Sequence, residues 1–137
     1  MPEKLNVLLV EPNKTPRQVE IPHTLESLQE AVGGYIEAAY PYGDMVGIIC
    51  NEEGKINQLP LNRAIYGEDK QMIDIIAGPF LVVGLSDNDF ASLSPDLLEK
   101  YRRQFYYPEG FMRTPQNKVM AYKIKNIKPK GKVDLDL

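Results

Sequence analysis

Apolar residues in this chain come in short clusters separated by proline, glycine and charged residues, a spacing that predicts strands more often than helices. Leu5-Asn-Val-Leu-Leu-Val10 reads as a strand, closed by the turn cluster Glu11-Pro-Asn-Lys-Thr-Pro16. Arg17-Gln-Val-Glu-Ile21 then alternates polar with apolar, so the two segments predict an opening hairpin. Tyr35 to Ala39 is a short strand candidate and Met45 to Cys50 a stronger one. Asn51-Glu-Glu-Gly54 predicts a turn leading into a further strand, Lys55-Ile-Asn-Gln-Leu59, and hence a second hairpin. The apolar run from Asp74 to Gly84 is broken by Gly78-Pro79, which fits either two strand pieces or one bulged edge strand. Val119 to Ile127 alternates apolar residues with lysine, as an edge strand does.

Helical spacing occurs twice. Thr24 offers a capping oxygen, Glu26 lies in the first turn, Leu25, Leu28 and Val32 share a face, and Gly33-Gly34 ends the segment, predicting a helix over about 24–33. Ser94-Pro95, followed by Asp96 and by Leu97, Leu98, Tyr101 and Phe105 on one face, predicts a second helix over 94–105. The expected fold class is α+β: a mostly antiparallel sheet built from hairpins, with both helices packed on one face. A length of 137 residues fits a single domain over 1–137, with 106–137 as a C-terminal extension made of an edge strand and a basic tail.

Composition narrows the class. With 43% hydrophobic and 26% charged residues the chain is too apolar for a disordered protein. No apolar run is long enough to cross a membrane, and the first residues, with Glu3, Lys4 and Asn6, do not resemble a signal peptide. The lone Cys50 has no internal disulfide partner and sits among strand residues, so a buried, inert thiol in a reducing cytoplasm is expected. The net charge of −3 divides unevenly, residues 1–117 holding 17 acidic against 10 basic side chains and residues 118–137 holding six lysines against two aspartates. Without arginine and with only Tyr122 as an aromatic companion, that tail reads as a solvated strand and tail rather than a nucleic-acid contact.

No set of residues spells out a catalytic site. His23 is the only histidine, so a zinc site is not expected and no metal or cofactor is inferred. Glu52-Glu53 are adjacent acids in a turn, expected to face water, and their adjacency does not point to a shared proton. Asn62 and Arg63, in Leu59-Pro-Leu-Asn-Arg-Ala64, fall outside any strong helix or strand pattern and read as a loop. Arg63 carries a planar fork of donors suited to carboxylate or phosphate, yet the same pair can pin a loop, with Arg63 paired to Glu52 or Glu37. After the second helix, Tyr106, Tyr107, Phe111 and Met112 are apolar enough to suggest a self-contact and a homo-oligomer.

Four blocks in order, Leu28-Gln-Glu-Ala-Val-Gly-Gly-Tyr-Ile-Glu37, Asn51-Glu-Glu-Gly-Lys55, Leu59-Pro-Leu-Asn-Arg63 and Ile76-Ala-Gly78, resemble the family called domain of unknown function 3846. The resemblance spans roughly residues 5–105 and implies a setting, proteins of phages, plasmids and conjugative elements, rather than an activity. The family's recurring residues fall here on Gly33, Gly34, Glu37, Asn51, Glu52, Gly54, Asn62, Arg63 and Gly78. From these the expected ligand-binding set is Gly33, Gly34, Glu37, Asn51, Asn62 and Arg63, with backbone donors at the glycine pair beside Arg63 suiting an anion. The leading expectation is an accessory protein that binds a partner protein or a small anionic, nucleotide-like ligand. The alternatives are a small enzyme using Glu37 with Arg63, and an acidic modulator of host defence.

Overall fold

The computed structural model describes residues 3–125, and the expected tail lysines at 128, 130 and 132 and the end of the expected edge strand lie outside them. The central sheet runs β2-β1-β7-β4-β3, built from β1 (Lys4–Val10), β2 (Arg17–Pro22), β3 (Ile36–Ala39), β4 (Val46–Asn51) and β7 (Phe80–Ser86). Short β8 (Asp89–Ala91) pairs with the far end of β7. Two ribbons complete the strands: β5 (Leu61–Tyr66) with β6 (Met72–Ala77), and β9 (Glu109–Arg113) with β10 (Val119–Lys123). Every pairing among the described residues is antiparallel, so the α+β architecture with a mostly antiparallel sheet holds.

Both helices start where local chemistry placed them. In α1 (Leu25–Val32) the Thr24 hydroxyl accepts from the Ser27 amide at 3.2 Å, and Gly33 ends the helix at φ 82°, a conformation that a Cβ would strain. In α2 (Pro95–Gln104) Ser94 caps the Leu97 amide at 3.3 Å.

The helices do not share a face. Leu28 and Val32 of α1 pack with Leu5, Val7, Ile49, Leu81 and Val83, whereas Tyr101 of α2 packs with Leu8, Val10, Ile48, Phe80 and Val82. Adjacent residues of one strand point to opposite sides, so β1, β4 and β7, apolar at consecutive positions, carry apolar side chains on both faces. A cover on one side alone would leave Val7, Ile49, Leu81 and Val83 in water, at about 1.5–3 kcal/mol for each large side chain. The result is three layers: α1, the sheet, and a third layer in which α2 is joined by the β5–β6 ribbon through Ile65 and Ile76, with β9 lying against β5.

The expected hairpin from 45–50 into 55–59 does not form. Both edges of β4 are taken, by β3 and by β7, and residues 52–58 coil into successive turns, with Asn57 N donating to Glu53 O at 2.9 Å and Leu59 N to Gly54 O at 2.9 Å. The next strand starts at Leu61, which moves Asn62 and Arg63 from a loop into β5. The run from 74 to 84 resolves into two strands of different sheets, β6 and β7, hinged at Gly78 with φ 84°. Strand β7 is central, not an edge.

Candidate functional site

Four of the six expected site residues meet at one end of the sheet. Gly33 and Gly34 follow α1, and both amides already donate to Gln29 O, at 2.8 and 3.1 Å, so they close the helix instead of offering donors to an anion. Asn51, at the end of β4, donates from Nδ2 to Val32 O at 3.2 Å and accepts at Oδ1 from the Glu53 amide at 2.8 Å. A Cβ on Gly34 would stand 2.9 Å from Asn51 Nδ2, so this glycine makes room for that lock. Glu37 is exposed on β3 opposite Cys50, and with Asn51, Lys55 and Asp74 it lines a shallow cleft of about 290 Å³.

Asn62 and Arg63 are elsewhere and are fully enclosed. Asn62 Nδ2 donates to Val10 O and Gly78 O, both at 2.9 Å, tying β5 to β1 and to the β6–β7 hinge. Arg63, with no exposed surface, donates to Phe105 O from Nε at 3.2 Å and from Nη2 at 2.9 Å, to Lys14 O from Nη2 at 2.7 Å, and to Asn62 Oδ1 from Nη1 at 2.8 Å. Burial draws the guanidinium down to about 10, with Glu109 opposing, so it stays charged at neutral pH. Its acceptors are oxygens of this chain rather than Glu52 or Glu37, and among the described residues the pair serves as an internal clamp.

A cleft of about 750 Å³ opens on the other side of that clamp, between the loop before β4, the β5–β6 ribbon, α2 and the β9–β10 ribbon. Tyr42, Tyr66, Tyr101 and Phe105 give it aromatic walls, and three lysines, Lys70, Lys100 and Lys123, line it as well. Three carboxylates, Asp44, Glu68 and Glu109, balance them. Asp44 is already held by Lys100 Nζ at 2.6 Å and by the Tyr101 hydroxyl at 2.9 Å, which pull its ionisation below the usual carboxylate range. No carboxylate of the described residues pairs with Lys70 or Lys123.

Glu109 is the residue that sequence reasoning passed over. It is only 9% exposed, and its Oε1 accepts from the Ala64 amide at 2.9 Å. Its Oε2 accepts no hydrogen bond from the described residues, and since no fully buried side-chain oxygen among them lacks a partner, Oε2 keeps some accessible surface in a residue that lines the cleft. Burial pushes the carboxyl above its usual range, against the Ala64 hydrogen bond and the positive charges of Arg63 and Lys123. Its charge in turn raises Tyr66, after burial, placing the phenol and the carboxyl near each other. The one signal in the sequence was a lone acid between Pro108 and Gly110 within an aromatic stretch.

Residues 5–106 match the family described as a domain of unknown function (DUF3846). The chain belongs to the DUF3846 family. No curated protein and no solved structure matches it. The DUF3846 stretch holds the Asn62–Arg63 clamp and the aromatic walls of the cleft, while Glu109 and Lys123 lie beyond it. No helix among the described residues is long and apolar enough to cross a membrane, and no group of acidic, histidine or cysteine side chains among them is arranged to hold a metal.

Proposed function

We propose that this DUF3846 protein is a non-enzymatic binding protein that takes a small nucleotide-like ligand into the cleft between α2 and the two ribbons, in the phage, plasmid or conjugative-element setting that the family resemblance implies. The observation that carries the reading is the lining: aromatic walls, two lysines in no salt bridge among the described residues, and one buried carboxylate with an oxygen that accepts no hydrogen bond from them. Equal numbers of ammonium and carboxylate groups disfavour a pure anion. They suit a molecule with an anionic end for Lys70 and Lys123, a flat ring for the tyrosines and N–H donors for Glu109. A cleft of this volume falls in the range of small-molecule sites.

This reading keeps the expected ligand class and moves its site. The enzyme alternative needs Arg63 to face a substrate beside Glu37, whereas Arg63 is enclosed by carbonyl oxygens. Thermal unfolding with millimolar mononucleotides tests the proposal. A ligand present at about a hundred times its Kd stabilises by about 2.7 kcal/mol, several degrees for a chain of this size. The expected result is a rise with at least one nucleotide that Lys70→Ala and Lys123→Ala each reduce. No rise with any nucleotide, together with no small molecule retained in native mass spectrometry, would overturn it.

A further inference from the structure

Resting on that reading, we infer that Glu109 selects the base, and that the preferred ligand is a guanine nucleotide whose ring N–H and adjacent amino group donate to the Glu109 carboxylate. An ionised carboxylate only accepts hydrogen bonds, so it pairs best with an edge that presents neighbouring donors. Guanine has such an edge. Adenine and cytosine set an amino donor beside a ring nitrogen whose lone pair repels a carboxylate, and uracil flanks its single N–H with two carbonyls. Glu109 lines the cleft, and Oε2, which accepts no hydrogen bond from the described residues, together with the remaining lone pair of Oε1, is the acceptor capacity left to a ligand.

The surroundings support an acceptor held in place. The Ala64 amide fixes Oε1 at 2.9 Å, and Ala64 is anchored by its neighbour Arg63, whose guanidinium is bound to Phe105 O and Lys14 O. The charged and titratable groups around Glu109 are Arg63 and Tyr66 from β5, Lys123 from β10 and Tyr42 from the loop before β4, with Asp44, Glu68, Lys70 and Lys100 further along the lining. Tyr42 and Tyr66 line the same cleft, and stacking of a base on such aromatic side chains would tolerate any base and leave selection to Glu109.

The test is calorimetric titration of the full chain with GMP, AMP, CMP and UMP at pH 7.5, for the wild type and for Glu109→Gln. Glutamine keeps an oxygen for the Ala64 amide but replaces an acceptor with an NH2 donor, so it matches the donor–acceptor edge of adenine or cytosine. The wild type is expected to favour GMP by about tenfold or more, and Glu109→Gln to lose that preference and gain affinity for AMP or CMP. A folding defect in the variant is separated by a second measurement on the wild type, where the preference for GMP should decline as acid protonates Glu109. Nucleotides that bind without base preference, yet still depend on Lys70 and Lys123, would overturn the base assignment and leave the cleft reading standing. No binding by any nucleotide would overturn both.

Discussion

Arg63→Ala is expected to act on stability first. The side chain is fully buried and donates to four oxygens, those of Phe105, Lys14 and Asn62 together with Asn62 Oδ1. Removing one partner of a buried charged network costs about 3–5 kcal/mol, because stranded acceptors add to the lost bonds and to the cavity. Against a total of roughly 5–15 kcal/mol for a domain, that is a large fraction. It corresponds to a drop of roughly 10–20 °C in melting temperature at this chain length. Lysine keeps the charge but has three donors on a single nitrogen, so Arg63→Lys should recover only part of the loss, roughly 1–2 kcal/mol. Urea unfolding of the three proteins measures this, with an unchanged slope required for the comparison to count as a change in stability. An Arg63→Ala midpoint that translates into a loss below about 1 kcal/mol would refute the clamp, since that is the cost of an ordinary exposed substitution or less.

Two further outcomes follow from buried titratable groups. Because the folded state raises the Glu109 ionisation, folded Glu109 holds its proton to higher pH than the unfolded chain does, so its contribution to stability should fall as pH rises from the ordinary carboxylate range through the raised value; Glu109→Gln should flatten that slope in pH-dependent thermal unfolding, and an identical slope in both proteins would contradict the assignment. Cys50 is 9% exposed, and burial followed by the charges of Glu37 and Asp74 pushes its thiol up to about 11, so a thiol reagent at pH 7.5 should label the native chain far more slowly than the chain in denaturant, and equal rates would show an open site.

What could be read ahead of the structure was local. Thr24, Gly33, Ser94 and Pro95 act within a turn of their own position, and the helix ends followed from them. The opening hairpin was legible because β1 and β2 are neighbours in sequence and one of them alternates. The partners of β7 were not, because β1 lies some seventy residues away and both of its faces are apolar, leaving no alternation to show which side is which. Asn62 and Arg63 misled for a related reason. A polar pair inside a short apolar segment reads as a loop, whereas here the acceptors that allow its burial come from Lys14 and Phe105, at separations of 49 and 42 residues. Glu109 showed only as a lone acid between Pro108 and Gly110, since what holds it is an amide donor 45 residues earlier.

These long-range contacts bear on how the site is held. Successive residues of β5 divide two tasks: the Arg63 side chain grips the carbonyl of Phe105 at the end of α2, and the Ala64 amide grips Glu109 at the start of β9. The chain between Phe105 and Glu109 is therefore pinned at both ends to adjacent positions of one strand, which fixes the floor of the cleft relative to its α2 wall. The polar pair expected to contact a ligand thus shapes the cleft from behind, with no exposed surface of its own. Loss of affinity in an Arg63 variant would then report a displaced Glu109 rather than a missing contact. On the proposed reading the two separate in the base preference, because a displaced carboxylate would lose selectivity for guanine while the lysines would keep their hold on the anionic end.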